Sequence, residues 1–194
     1  MKEGTRVKGL LIALSLLLVA NAYADPRVRP IEWAQPMLGI ELGNFYKVSD
    51  ELYRSEQPDD EAMLQLEAMG IRSALNLREY HSDNGEAKST TLKLFRVAMN
   101  AGEINDALVE KALAAIAAAP KPILVHCWHG SDRTGAIVAM YRMVFQDWPR
   151  ERAIDEFLNG GYGYHKSFYP NIESYLENVD INRFKKQFAQ KSQQ

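Results

Sequence analysis

Ile123-Leu-Val-His-Cys-Trp-His-Gly-Ser-Asp-Arg-Thr-Gly135 is the stretch that decides how this chain is read. It opens with a short apolar run ending at His126, the pattern of a buried strand. It closes on Thr134 and Gly135, followed by an almost wholly apolar segment to about Phe145, the pattern of a helix buried on all sides. Between them, Cys127 and Arg133 stand at the two ends of a tight loop that runs into a helix N-terminus. Such a loop turns several N–H groups toward one centre, and the helix dipole favours negative charge there. The stretch therefore predicts an anion cradle with a nucleophile at its floor.

The residue types extend this to chemistry. A free thiol has a pKa of about 8.5, and a helix N-terminus with a neighbouring cation lowers it toward the thiolate at neutral pH. A thiolate attacks phosphorus well, and the resulting thiophosphate hydrolyses readily. Arg133 can grip two oxygens of a phosphoryl group, while amides of Trp128, His129, Gly130, Ser131 and Asp132 hold the third. Gly130 lets the backbone turn close to the ligand without a Cβ. Thr134 can hydrogen-bond the sulfur and help it leave in a second step, and His126 can fix the loop. These parts predict a cysteine-dependent phosphatase that needs no metal and no cofactor.

His126-Cys127, Gly130 and Arg133-Thr134-Gly135 resemble the His-Cys-x-x-Gly-x-x-Arg-(Ser/Thr) signature of the protein tyrosine phosphatase superfamily. Leu52-Tyr-Arg-Ser-Glu-Gln-Pro58, Ile71-Arg-Ser-Ala-Leu-Asn-Leu-Arg78 and Met140-Tyr-Arg-Met143 resemble segments of its bacterial, secreted, dual-specificity-like branch. The resemblance covers roughly residues 40 to 180. Strand, loop and helix stand in the order the motif requires, which makes the match specific. It implies action on phosphotyrosine, with phosphoserine and phosphothreonine as further substrates, on a periplasmic or membrane-attached protein. The alternatives are a phosphoinositide or inositol-phosphate phosphatase and, outside enzymes, a phosphate-binding pseudophosphatase. The presence of Cys127, Arg133 and Thr134 together argues against the last. A sulfurtransferase or arsenate reductase also uses a looped cysteine, but the Gly and Arg-Thr positions favour a phosphatase.

A phenol leaves with a pKa of about 10, so a proton donor matters. Relatives supply an Asp from the loop corresponding to Met99–Asp106, where this chain has Gly102 at the matching place. Glu103 is adjacent and Asp106 is the nearest Asp, although charge at a helix N-terminus is an equally good role for it. Asp132 is the preferred candidate. Cys-x-x-Gly-x-Asp-Arg-Thr resembles the loop of myotubularin-type phosphoinositide phosphatases, in which that Asp is taken as the acid. A local Asx turn or the orientation of Arg133 is the structural alternative. Trp128 and His129 are offered as contacts for substrate, with packing of Trp128 on the core as the rival. Arg54 and Arg78 follow strands and are candidates for the mouth of the site, surface ion pairing being the default. The aromatic run Gly161–Tyr169 reads as a packed connection first and as a wall of the site second.

Residues 1–24 carry a signal-peptide pattern: Lys2, Arg6 and Lys8, an apolar core from Leu10 to Ala20, and Ala22-Tyr-Ala24 as a cleavage site. The apolar core is shorter than the roughly 20 residues that span a bilayer. Export to the periplasm, cleavage before Asp25 and no stable membrane insertion afterwards are the expectations. Three basic residues and one acidic residue depart with the segment, moving the net charge from −2 to −4. That balance carries no footprint for nucleic acid. Cys127 is the single cysteine, so no intramolecular disulfide forms, and its thiolate has no resolving partner against peroxide.

The remainder reads as an extended lead-in over 25–39 and one domain over 40–194. Strands alternate with helices: strands around residues 45–53, 71–77 and 92–98, helices over 59–69 and to Ala119, and a helix beginning at Pro149. This predicts an α/β fold: a central, mostly parallel sheet with helices on both faces, and the cradle loop between a central strand and a buried helix. Ile181, Phe184 and Phe188 form an apolar stripe that docks a terminal helix on the core.

Overall fold

In the computed structural model, residues 29–191 are described. The expected signal segment and the start of the lead-in lie outside them. Six strands form one sheet: β1 (Gln35–Pro36), β2 (Tyr46–Lys47), β3 (Leu52–Ser55), β4 (Ser73–Asn76), β5 (Lys93–Arg96) and β6 (Ile123–His126). Their order is β1-β2-β3-β6-β4-β5. β1, β2 and β3 pair antiparallel, while β3, β6, β4 and β5 run parallel. The sheet is thus mostly parallel, as the alternation of strands and helices predicts.

All four residues of β6 are buried. A parallel strand covered on both faces has no solvent side, so its sequence is continuously apolar up to His126 rather than alternating. Side chains still divide by face. Leu124 joins Ala74, Phe45, Met63 and Leu66 in one core cluster, whereas Ile123 and Val125 join Leu75 and Leu77 in the other.

α1 (Asp60–Ala68) covers the first face. Asp59 caps it, its side chain accepting from the Ala62 amide at 2.8 Å, and Gly70 ends it at φ +93°. α2 (Asp106–Ala118), α3 (Asp132–Phe145), α4 (Arg150–Asn159), α5 (Pro170–Asn178) and α6 (Ile181–Lys191) cover the second. Asn105, rather than Asp106, caps α2, accepting from the Leu108 amide at 3.2 Å. α3 lies at the centre of this layer and is buried from Thr134 through Val144. α6 docks through Phe184 and Phe188, which are buried. α5, not anticipated from the sequence, starts with Pro170 in its first turn and buries Ile172 and Leu176.

One buried ion pair locks this layer. Arg142 of α3 donates from Nε to Glu156 Oε2 of α4 at 2.7 Å, and Glu156 Oε1 accepts the Ala34 amide at 2.6 Å. Arg29 donates to Ala34 O at 2.6 Å and to Gly160 O at 2.7 Å. The lead-in, from residue 29 on, is therefore tied to the body and adds β1 to the sheet. Among the described residues, no helix is long and apolar enough to cross a membrane.

Candidate active site

Register fixes where the site falls. Ser55 of β3 and Asn76 of β4 both lie opposite His126 of β6, so three parallel strands end at one level. The crevice beyond their carboxyl ends is where open α/β sheets bind ligands. Cys127 is the next residue, and α3 begins at Asp132.

The loop between them is shaped by what holds its carbonyls. Trp128 O accepts from the Gln57 amide at 3.0 Å, His129 O from Asn44 Nδ2 at 2.7 Å, and Gly130 O from an Arg54 Nη at 2.5 Å. In a trans peptide the C=O and the N–H point in opposite directions. Carbonyls tethered outward therefore leave the amides of His129, Gly130 and Ser131 facing the inside of the loop. No carbonyl of the described residues accepts from the amides of residues 128 to 133. Ser131, at the N-cap, makes no side-chain cap to α3, its hydroxyl donating instead to His129 O at 3.4 Å. An uncapped N-terminus with free donors is built to receive an anion.

Gly130 stands at φ +70°, and a Cβ there would meet Ser55 O at 2.5 Å. The loop rides directly on the end of β3, so glycine is required twice, for its backbone angle and for the approach.

Cys127 is 2% exposed, at the floor of this loop. His126 lies behind it, with Nδ1 3.3 Å from Cys127 O and Nε2 2.8 Å from Asp83 Oδ2. Asp83 is buried and also accepts from Asn76 Nδ2 at 2.7 Å and Gln57 Nε2 at 3.0 Å. Burial works to raise its pKa, but the bonds and charge of His126, with Gln57 and Asn76, outweigh this and hold the carboxyl below its usual range. The loop His81–Glu86 thus carries a buried anchor that its polar sequence does not disclose. An apolar strand followed by an isolated Asp in a polar loop offers no period that would reveal such an anchor. His81, Asp83 and Glu86 place ligand-type atoms within 4.8 Å of one another, but Asp83 is already bonded to three partners and His81 to Glu86.

Three guanidinium groups surround the loop. Arg133 donates to Met99 O at 3.4 Å, while its Nε is buried with no partner. Arg78 lies over the Trp128 ring at 4.1 Å and donates to Gln57 Oε1 at 3.0 Å. Burial first, then the charge of Arg133, pulls Arg78 below its usual range, while Asp83, Glu86 and Cys127 oppose this. Arg78 thus flanks the mouth of the site, as the sequence allows. Arg54 does not. At 1% exposure it lies beneath the loop, over the Tyr162 ring at 3.5 Å, with burial lowering its pKa against Tyr162, Glu156 and Cys127. The default of a surface ion pair is corrected here to a buried strut.

Thr134 Oγ1 is buried without a partner, so the bond to sulfur expected of it is not formed in this structure. Asp132 faces the site but is engaged elsewhere: Oδ1 accepts the His165 amide and Oδ2 lies against His165 Nδ1, each at 2.9 Å. Glu103, in a short 3-10 turn (Ala101–Glu103), is exposed. Asp106 is held by Tyr175 at 2.9 Å and Arg183 at 2.6 Å, fastening α5 and α6 to α2.

A cleft of about 280 Å³ opens above Arg133, lined by Trp128, His129, Asp132, His165, Phe168 and Tyr169. Trp128 is 56% exposed, so packing on the core is corrected to a place on the rim. His165, Phe168 and Tyr169 of the run Gly161–Tyr169 do form a wall of the site, and Gly160, just before the run, caps α4. A second cleft, of about 200 Å³, lies among Glu41, Asp59 and Glu61, whose charge repels phosphate.

A cysteine buried under inward amides, at an uncapped helix N-terminus whose first turn carries an unsaturated guanidinium, defines the class of cysteine-based phosphate-binding loops. Comparison with known proteins narrows this. Residues 39–194 match the tyrosine phosphatase family, and the chain belongs to that family. It is 28% identical over 141 residues to the dual specificity protein phosphatase TpbA of Pseudomonas aeruginosa, covering 72% of this chain and 64% of that one. It is 35% identical over 124 residues to the inositol diphosphatase SIW14 of Saccharomyces cerevisiae, covering 59% of this chain and 44% of that one. The chain thus spans less than two thirds of the length of these relatives. The crystal structure of P. aeruginosa TpbA superposes with a TM-score of 0.75 at 27% identity, over 84% of this chain and 99% of that one. The SIW14 catalytic core, crystallised with citrate, gives 0.66 at 28% identity, over 79% and 95%.

Proposed function

We propose that the protein hydrolyses phosphoric monoesters through a phosphocysteine intermediate on Cys127, and that phosphotyrosine in a protein is its substrate class. The observation that supports this most is the outward tethering of the Trp128, His129 and Gly130 carbonyls, which leaves converging amides over a buried thiol. In this reading those amides and Arg133 bind the three terminal phosphoryl oxygens and the charge they gain in the transition state. Cys127 attacks in line, and Thr134, unpartnered and buried, donates to the sulfur as it leaves. Asp132 belongs to the proton-handling apparatus above them. No metal is required by these roles.

The cleft supports an aromatic ester. Trp128, Phe168 and Tyr169 offer flat faces, and Arg133 is the one Lys or Arg among its lining residues. An inositol polyphosphate carries several further phosphates and calls for several further cations. The second reading, an inositol-phosphate or phosphoinositide phosphatase, draws on the similarity to SIW14. Export to the periplasm is part of the proposal and rests on the pattern of residues 1–24. Two measurements test it. Cys127→Ser is expected to abolish turnover of an aryl phosphate while retaining binding, and unchanged turnover overturns the mechanism. Phosphotyrosine peptides are expected to outperform soluble phosphoinositides and inositol phosphates, and the reverse order selects the second reading.

A further inference from the structure

His165 is the one residue of the aromatic wall that couples directly to the cradle. Its amide donates to Asp132 Oδ1 and its ring Nδ1 lies on Asp132 Oδ2, each at 2.9 Å, so one carboxylate clamps both backbone and ring. Nε2, on the opposite edge of the ring, bonds to no described residue, and the ring lines the cleft that Arg133 also lines. The imidazole is 40% exposed and its Asp132 partner 9%. The exposed partner can meet a leaving group, whereas the buried one is committed to holding it.

Taking the phosphocysteine reading as its basis, we propose that His165 is the proton donor to the leaving group and that Asp132 is its positioning residue. Sulfur forms its bond to phosphorus as the ester P–O bond breaks, and that electron pair goes to the leaving oxygen. The oxygen takes the proton from His165 Nε2, leaving a neutral imidazole whose Nδ1–H still donates to Asp132. In the second step the neutral Nε2 takes a proton from the attacking water. The P–S bond then breaks and its electron pair returns to Cys127, restoring thiolate and imidazolium. Asp132 sets the tautomer and orientation of the ring and compensates its charge, the division of labour known for aspartate–histidine pairs.

The other charged and titratable groups around His165 leave this role open to it. His129 approaches ring to ring at 5.5 Å, Lys166 is paired with Glu173 at 2.7 Å, Tyr164 donates its hydroxyl to Tyr169 O, and Arg133 lines the same cleft. Glu103 is in solvent and Asp106 is bonded to Tyr175 and Arg183.

The test is kcat/KM of His165→Gln on two aryl phosphates, since a proton donor matters for phenol and little for the far more acidic dinitrophenol. The expected result is a loss of about 100-fold or more on phenyl phosphate, in the range typical of general acids, and less than about 5-fold on dinitrophenyl phosphate. The basic limb of the phenyl phosphate pH profile is expected to vanish with the substitution. Equal losses on both substrates, or no loss on phenyl phosphate, overturn the assignment. So does a selective loss in Asp132→Asn without one in His165→Gln, which makes Asp132 itself the donor. Cys127→Ser, run in parallel on dinitrophenyl phosphate, separates the two levels: its retained turnover sinks the phosphocysteine reading, whatever His165 does.

Discussion

Gly130→Ala is the sharpest perturbation the structure offers, because it moves the cradle without touching a chemical group. The residue stands at φ +70°, and the added Cβ meets Ser55 O at 2.5 Å and Glu56 N at 2.7 Å. Both are backbone atoms at the end of β3, paired to β6, and cannot swing aside. Ordinary contact begins near 3.4 Å, so the loop must retreat by about 0.9 Å. The left-handed angle costs about 1–2 kcal/mol for alanine, and forcing a group into packed structure costs about 1–3 more. Stability is therefore expected to fall by about 2–5 kcal/mol. A displacement near 1 Å of groups that bind the transition state costs on the order of 100-fold in rate. Urea unfolding gives the first quantity and kcat/KM on an aryl phosphate the second. Gly70→Ala is the control: φ is +93°, but nothing lies within 4 Å of its Cβ, so only the angular cost of about 1–2 kcal/mol applies and activity stays. If Gly130→Ala keeps activity within about threefold and stability within about 0.5 kcal/mol, the claim that β3 sets the cradle's position is wrong.

Other expectations follow from the same contacts. Asp83, held below its usual pKa in the folded state, contributes stability that is present above its unfolded value of about 3.9 and lost as pH falls through the folded one. Asp83→Asn should therefore cost about 1.5–3 kcal/mol at neutral pH and flatten the decline in urea midpoint below about pH 4; an unchanged decline counts against the anchor. Glu156→Gln leaves Arg142 buried against a neutral partner, and about 3–5 kcal/mol of destabilisation is expected by calorimetry, with near-additive behaviour alongside Arg142→Met speaking against a coupled pair. Asp106→Asn, at an exposed fastening of α2 to α6, should cost less than about 1 kcal/mol and leave kcat/KM for phenyl phosphate intact. A selective loss on that substrate would return Asp106 to the proton-donor role.

How much of this the sequence discloses depends on the range of each interaction. The β6–loop–α3 unit is local, and its strand, glycine and helix signals all point one way, so it is legible from thirteen residues. α1 is legible through Asp59 and Gly70, and α2 through its cap and Pro120. What is not legible arrives from far along the chain. Asp83 reaches His126 across 43 positions, Arg54 reaches Gly130 across 76, and His165 reaches Asp132 across 33. An arginine at a strand end reads as a surface group because its guanidinium normally seeks water. Only the assembled loop, with a carbonyl in need of a donor and Tyr162 beneath, makes burial favourable for Arg54. Asp132 stands out by its place before Arg133, but the partner that defines its geometry sits in a loop whose aromatic content reads equally well as packing. α5 is not legible because two buried apolar positions in nine residues make too short a period.

The most direct test of the central claim is to trap the covalent species. Rapid quenching of the protein in alkaline denaturant during turnover of an aryl phosphate, followed by peptide mass spectrometry without an acid step, should find one phosphoryl group on the peptide bearing Cys127, and none in Cys127→Ser. A phosphoryl group on a histidine instead, or undiminished turnover with no phosphoenzyme in Cys127→Ser, would contradict the account.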